Sequence, residues 1–327
     1  MQTIEHVSGR RLVVGGRRQP KPESHPGVPL GAHLKSHLVA PPPPAISYQG
    51  PAASALAEMY GNNQLGDCVI AGGYHALGVW TGNSSGNPFV ADPAQVLADY
   101  EAIGGYVPGQ PATDGGCDQA TAFQYWMGLN GGKGFADGSI LAGYGSLDGT
   151  NRNQIESAIF AFESCTFGVS LPDEWVSQIG TLQPGFTWDV AGDADPESGH
   201  DFIGVGYNER GVVICTWGMI GLVTWAAVAK YAVPSAAGGA LYSLLSSEQI
   251  ARGQVAAPNG VNWVSLLADL DALPGAIQVQ LNTTPTPPLP PPPPPFPVAP
   301  PAPKPQPPAP TPPRPFIPHP PRSRAKK

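Results

Sequence analysis

Asn62-Asn63-Gln64-Leu65-Gly66-Asp67-Cys68-Val69-Ile70-Ala71-Gly72-Gly73 is the stretch on which the reading of this chain turns. A polar, glycine-containing loop runs into an apolar segment that opens on a cysteine. The pattern predicts a helix from about Cys68 through Trp80, stopping at Thr81-Gly82-Asn83. A thiol at that place meets unpaired backbone N–H groups and the positive end of the helix dipole. Both favour thiolate over thiol, which makes Cys68 a candidate nucleophile with a lowered pKa. Apolar residues cover most faces of the segment, so the helix is expected inside a lobe rather than on its surface.

A nucleophile also needs a base and a donor for a developing oxyanion. His200 is the candidate base, in Glu197-Ser198-Gly199-His200-Asp201-Phe202-Ile203-Gly204-Val205-Gly206-Tyr207, followed by strand-like Gly211-Val212-Val213-Ile214-Cys215-Thr216 and then Trp217-Gly218. A cysteine on a helix, a distant Gly-His entering a strand, a Val-Gly-Tyr turn and a second strand ending in Trp-Gly resemble the papain-like cysteine peptidases, from about Tyr60 to Gly218. The Gly-Asp-Cys loop and the Thr-Trp-Gly motif are also similar to those of uncharacterised bacterial and phage proteins.

The resemblance implies an α+β fold of two lobes, a helical one carrying Cys68 and an antiparallel β-barrel-like one carrying His200. It implies an oxyanion donor at Asn62, six residues before the cysteine, with Gln64 as the second candidate, and Trp217 as a shield over the imidazole. Where the family places an Asn to orient the histidine, this chain has Cys215, directly before Thr216-Trp217-Gly218. A thiol accepts an imidazole N–H bond poorly, so Thr216 and Asp201 become the candidates for that role.

The chain has 327 residues, 41% of them hydrophobic, enough for one sizeable core or two lobes. Residues 1–31 carry five basic and two acidic side chains, residues 32–282 six and 22, and residues 283–327 six and none. These counts divide the sequence into a flexible basic arm with little to bury (1–31), an acidic peptidase-like domain (32–282) and a proline-rich, extended tail (283–327). An acidic body argues against nucleic-acid binding by the core, because phosphate contacts need Lys and Arg. No run is long enough to span a bilayer, and Met1–Arg18 lacks the apolar core of a secretion signal, so a cytoplasmic location is the default expectation, with a virion or a signal-independent secretion route as alternatives.

Other residues receive plainer readings. Cys117, after Asp114-Gly115-Gly116, is expected as a small core hydrophobe at the start of a helix running to about Leu129. His75, two turns along from Cys68, is expected as a hydrogen-bonded core histidine. His33 and His37 are read as surface or packing residues and the acids of the Thr181–Gly199 loop as solvated, so no metal and no cofactor is expected. Asp92-Pro93 reads as a helix N-cap with Pro at the first helical position, and Asn151–Phe162 as an amphipathic helix. The tail is a spacer or a ligand for a polyproline-binding partner. Two functions fit: a thiol hydrolase cleaving a peptide or amide bond, or a papain-fold interaction or structural module, phage- or virion-associated, tethered by its tail.

Overall fold

The computed structural model describes residues 1–20, 28–30, 41–129 and 131–246. His33, His37, residues 261–273, whose pattern predicts an amphipathic helix, the end of the core expected at 278–281 and the proline-rich tail lie outside the described residues.

The chain opens with two strands, β1 (Gln2–Glu5) and β2 (Arg11–Val14), paired antiparallel from Gln2 opposite Val14 to Glu5 opposite Arg11. Leu12, Val13 and Val14 are buried at 0, 3 and 1% exposure, which corrects the expectation that little of residues 1–31 is buried. The pairing supplies the reason. The runs Gln-Thr-Ile-Glu and Arg-Leu-Val-Val are joined by a turn in which His6 N–H bonds the Arg10 carbonyl (2.8 Å), and the second strand presses its apolar side chains into the body.

After short strands β3 (Val28–Pro29) and β4 (Ile46–Ser47) comes a helical section: α1 (Ala53–Leu56), α2 (Cys68–Ser85), α3 (Pro93–Gly104) and α4 (Gln119–Trp126). The expected cap at Asp92 is present as a full capping box, its side chain accepting from Ala94 N–H while Gln95 accepts from Asp92 N–H. The helix expected from about residue 114 begins only at Gln119, capped by Asp118, because Gly116 turns the backbone through φ +71° first.

The remaining elements are β5 (Leu141–Ser146), α5 (Arg152–Phe162), β6 (Cys165–Pro172), α6 (Asp173–Gln178), β7 (Phe186–Trp188), β8 (Ala194–Tyr207), β9 (Gly211–Thr216), β10 (Met219–Thr224), α7 (Trp225–Tyr231) and β11 (Ala240–Ser246). Among the described residues they form one sheet in the order β3-β5-β11-β6-β8-β9-β10-β7, with β4 on the C-terminal part of β8. Most pairs are antiparallel; β3–β5 and β10–β7 are parallel. The stretch read as a loop from Thr181 to Gly199 is shorter than expected, because it contains β7 and gives β8 its first residues.

Two apolar clusters flank β8, one gathered around Phe162, Phe167, Trp175, Trp188 and Phe202, the other around Tyr74, Trp80, Trp126, Ile203 and Val205. Strand alternation divides them: His200 and Phe202 face the first, Asp201, Ile203 and Val205 the second. Helix α2 packs on that second face, and the contact needs Gly72, where a Cβ would stand 2.4 Å from Asp201 Oδ1. Gly72→Ala gains about 1 kcal/mol of helix preference but adds overpacking of about 1–3 kcal/mol. Urea unfolding is expected to show a net loss of up to about 2 kcal/mol; a stabilised variant would mean that the Asp201 carboxyl can step aside freely.

Candidate active site

The loop from residue 61 to 67 and the first turn of α2 set the position of Cys68. Asp67 is the N-cap residue, but its side chain makes no capping bond. It is buried instead, and the desolvation raises its pKa well above the carboxylate range. The Asn62 side-chain amide donates to the Leu65 carbonyl (3.1 Å) and bonds the Asp67 carboxyl. Asn62 is thus spent inside its own loop and Gln64 is exposed, so in this state neither candidate oxyanion donor is free and aimed at the Cys68 thiol.

Cys68 is the first residue of α2, as the sequence indicates, and is 2% exposed. Its sulfur takes a bond from the backbone N–H of Asp201. The expected lowering of its pKa is not found. Burial pushes the thiol well above its ordinary value, and the charge of Asp201 adds to the rise. The helix dipole is outweighed because the sulfur is cut off from water and sits among carboxyls.

His200 is fully buried on β8. Its ring stacks on Trp217 at 4.2 Å between centroids and 15° between planes, the arrangement expected of a shield. Nε2 pairs with Thr216 Oγ1 at 2.7 Å, and Nδ1 has no partner. If Nε2 donates its proton to the hydroxyl, Nδ1 is left as the bare base. Desolvation lowers the imidazole pKa to about 3, so the ring is neutral. The imidazole is thus bonded by Thr216, one residue from Cys215, which stands where the resemblance would place an Asn. Cys215 turns the other way and gives its S–H to the Leu56 carbonyl (3.1 Å).

Asp201, the other candidate for that place, faces away from His200. Its carboxyl accepts from Gln119 Nε2 (2.6 Å) and Thr166 Oγ1 (3.0 Å), and burial raises its pKa well above the usual range. Met59, Asn62, Cys68, His75, Asp201, Thr216 and Trp217 are among the residues that enclose a cavity of about 10 Å³, room for a single water. His75 is a core histidine as expected, bonded through Nε2 to the Glu58 carbonyl (3.0 Å), its pKa lowered to about 4 by burial. All four cysteines are free and buried.

This site is covered by part of the segment whose composition reads as a flexible arm. Val13 N–H donates to the Asn62 carbonyl (3.1 Å), and Trp217 Nε1–H donates to the Val13 carbonyl (3.2 Å). Gly15 and Arg17 N–H both donate to the Gly199 carbonyl (2.9 and 3.2 Å), while Cys117 N–H donates to the Gly16 carbonyl (3.1 Å) and Arg18 N–H to the Cys117 carbonyl (3.0 Å). Residues 13–18 thus lie across the loop ahead of Cys68, the loop ahead of α4 and the strand of His200. The signal that could have found this segment is the strand pattern of Arg11–Val14, opposite the equally strand-like Gln2–Glu5.

No family model matches the chain and no curated protein is similar to it in sequence. Several solved structures superpose on it. Digestive procathepsin L2 proteinase from Tenebrio molitor larval midgut superposes with a TM-score of 0.50 at 14% identity, over 71% of this chain and 78% of that one. Xylellain, a cysteine protease from Xylella fastidiosa, gives 0.48 at 12% identity, over 72% and 98%. The proform of the ragweed pollen cysteine protease Amb a 11 gives 0.47 at 13% identity, over 68% and 76%. The procathepsin superposition shows the fold: the chain has the two-lobe α+β architecture of the papain-like cysteine proteases.

With its thiol protonated and enclosed, Cys68 should react with iodoacetamide at pH 7.5 no faster than the other three cysteines. Mass spectrometry of the alkylated native chain checks this, and selective labelling of Cys68 would show that its environment lowers the pKa after all. The buried histidines also set a pH dependence. With folded-state values near 4 and 3 against about 6.5 when unfolded, they bind protons first in the unfolded chain. Their neutral state costs nothing above pH 6.5 and weakens the fold as pH falls toward 4. His75→Gln is expected to relieve up to about 1.4 kcal/mol per pH unit of that loss, read as urea midpoints at pH 6 and 4.5; identical slopes would rule out a neutral buried His75.

Proposed function

We propose that this protein is a thiol hydrolase of peptide or amide bonds, seen here in a resting state, with Cys68 as nucleophile and His200 as base. The observation that supports it most is the mounting of His200. A neutral imidazole held through Nε2 by Thr216 and stacked on Trp217, with Nδ1 unpaired in the interior, is oriented to take a proton. An unpaired buried nitrogen costs stability, and a base held ready for another group's proton is a reason to keep it. Cys68 meets β8 at the N–H of Asp201, on the α2 side of the strand, while the His200 ring lies on the other side, so the proposed proton transfer requires the covered site to rearrange.

In the reaction, Cys68 would pass its proton to His200 and attack the carbonyl carbon. The Cys68 N–H, at the start of α2 where backbone donors have no helical partner, would hold the oxyanion together with the Asn62 or Gln64 amide once the loop reorganises. His200 would return the proton to the leaving amine, and water would release the acyl group from sulfur. Trp217 keeps water from the imidazole, and Thr216 sets the ring's angle.

The burial of both reacting groups and the covering segment favour a second reading, a papain-fold interaction module without turnover. A fluorogenic peptide-amide library separates the two when presented to the full chain and to a variant with the covering segment loosened, Val13→Pro. Proline at that place removes the N–H bonded to Asn62. The hydrolase reading expects turnover in the loosened variant that is lost with Cys68→Ala and His200→Ala. Thr216→Val should lower kcat about tenfold or more with KM little changed, since it disturbs the orientation of the base alone. Turnover absent from a folded, loosened variant, or indifferent to Cys68, would leave the interaction module.

A further inference from the structure

Arg17 departs from what a surface arm should do. Its side chain is 4% exposed, with Nε beside Gly168 and Gln119 Oε1, and the charge of Asp201 acts on it from behind Gln119, whose Nε2 bonds that carboxyl (2.6 Å). Nη2 donates to the Gly238 carbonyl, while Nε and Nη1 have no partner and neither does Gln119 Oε1 on the same wall. Gly168 stands opposite Asp201 in the β6–β8 register, and its missing side chain makes the space: a Cβ there would lie 2.1 Å from Gln119 Oε1 and 2.6 Å from Arg17 Nε.

The body of the protein has built this seat without a cation of its own. Asp201 is surrounded by neutral donors, Thr166 and Gln119, and the positive charge that acts on it comes from Arg17. Asp118 adds a second attraction for the guanidinium. A buried carboxyl that receives its counter-charge from a separate strip of chain is a receptor for a cation. The planar, multiply donating guanidinium suits walls made of an amide oxygen and a backbone carbonyl, with a carboxyl one residue behind. The fit of Arg17 is also incomplete, with two donors and one acceptor unpaired, so a better-placed arginine would gain bonds by replacing it.

We propose that the pocket formed by Gln119, Gly168 and the Gly238 carbonyl, with the Asp201 carboxyl behind Gln119, is an arginine-recognition site for peptides, and that Arg17 occupies it as an internal ligand. The substrate assignment rests on the hydrolase reading; the pocket does not. A peptide carrying arginine would enter where residues 15–18 now lie, its backbone meeting the Gly199 carbonyl and the Cys117 N–H, its side chain reaching Gln119 and the Gly238 carbonyl.

The test uses full-length Arg17→Ala and a labelled peptide of residues 14–19, Val-Gly-Gly-Arg-Arg-Gln, beside the same peptide with both arginines replaced by citrulline, a neutral relative of the same shape. Fluorescence anisotropy should show the arginine peptide binding at least tenfold more tightly than the citrulline one, and Asp201→Asn in the same background should erase that preference. The wild-type chain, with its pocket filled, should bind the peptide more weakly than the variant. If Arg17→Ala does not fold, Gly16→Ala takes its place: a Cβ there would stand 2.4 Å from the Gly66 carbonyl oxygen, which lifts the segment and leaves the pocket intact. Equal binding of the two peptides, or no gain in either folded variant over wild type, overturns the inference. Arginine-selective binding without cleavage would instead sink the hydrolase reading, and cleavage without arginine preference would sink only the pocket.

Discussion

Strand β8 is the part on which the rest depends, because its two-residue period sends His200 and Asp201 to opposite faces one step apart. His200 goes to the aromatic side, where Trp217 covers it and Thr216 holds it. Asp201 goes to the side of α2, where it meets the Gly72 gap, the Cys68 sulfur through its own N–H, and the polar wall of Gln119 and Thr166. A slip of one residue in the β6–β8 register would exchange the two, putting a carboxyl among tryptophans and an imidazole against a helix with no space for it.

The same constraint explains the chemistry of the resting state. Everything in this region is buried, and burial acts in one direction on every titratable group, toward neutrality. The thiol and the carboxyls are pushed up, the imidazoles down. A helix N-terminus favours a thiolate only where the sulfur stays solvated, and Cys68 is 2% exposed beneath residues 13–18. The roof is held by backbone hydrogen bonds and one buried arginine, interactions that a competing peptide can reproduce.

Local signals in the chain account for much of the fold. The apolar run after Cys68, the Asp92-Pro93 cap, the amphipathic pattern before Phe162 and the alternation through Gly211–Thr216 each appear as elements close to where their patterns put them. The loop expected over residues 181–199 was misread because β7 is three residues long and pairs with β10, thirty-odd positions away, a contact that composition cannot announce. Residues 1–19 were misread for a similar reason. Gly, Arg and Pro look like an exposed arm, and only the partner surfaces turn Leu12–Val14 into core and Arg17 into a buried ligand.

By itself, the sequence determined which residue types stand at the helix start and at the strand entry, since Cys68, His200, Thr216 and Trp217 occur in a fixed order with spacings that local structure must respect. Tertiary structure decided their states. Thr216 rather than Cys215 or Asp201 holds the imidazole because the turn at Trp217, with φ +48°, brings that hydroxyl to His200, while strand alternation points the other two away. Cys68 is a thiol rather than a thiolate because its pKa depends on water and charge from residues far along the chain, and the segment that excludes the water lies some fifty residues before it. Periodicity is local and can be read from neighbours; desolvation belongs to the assembled fold.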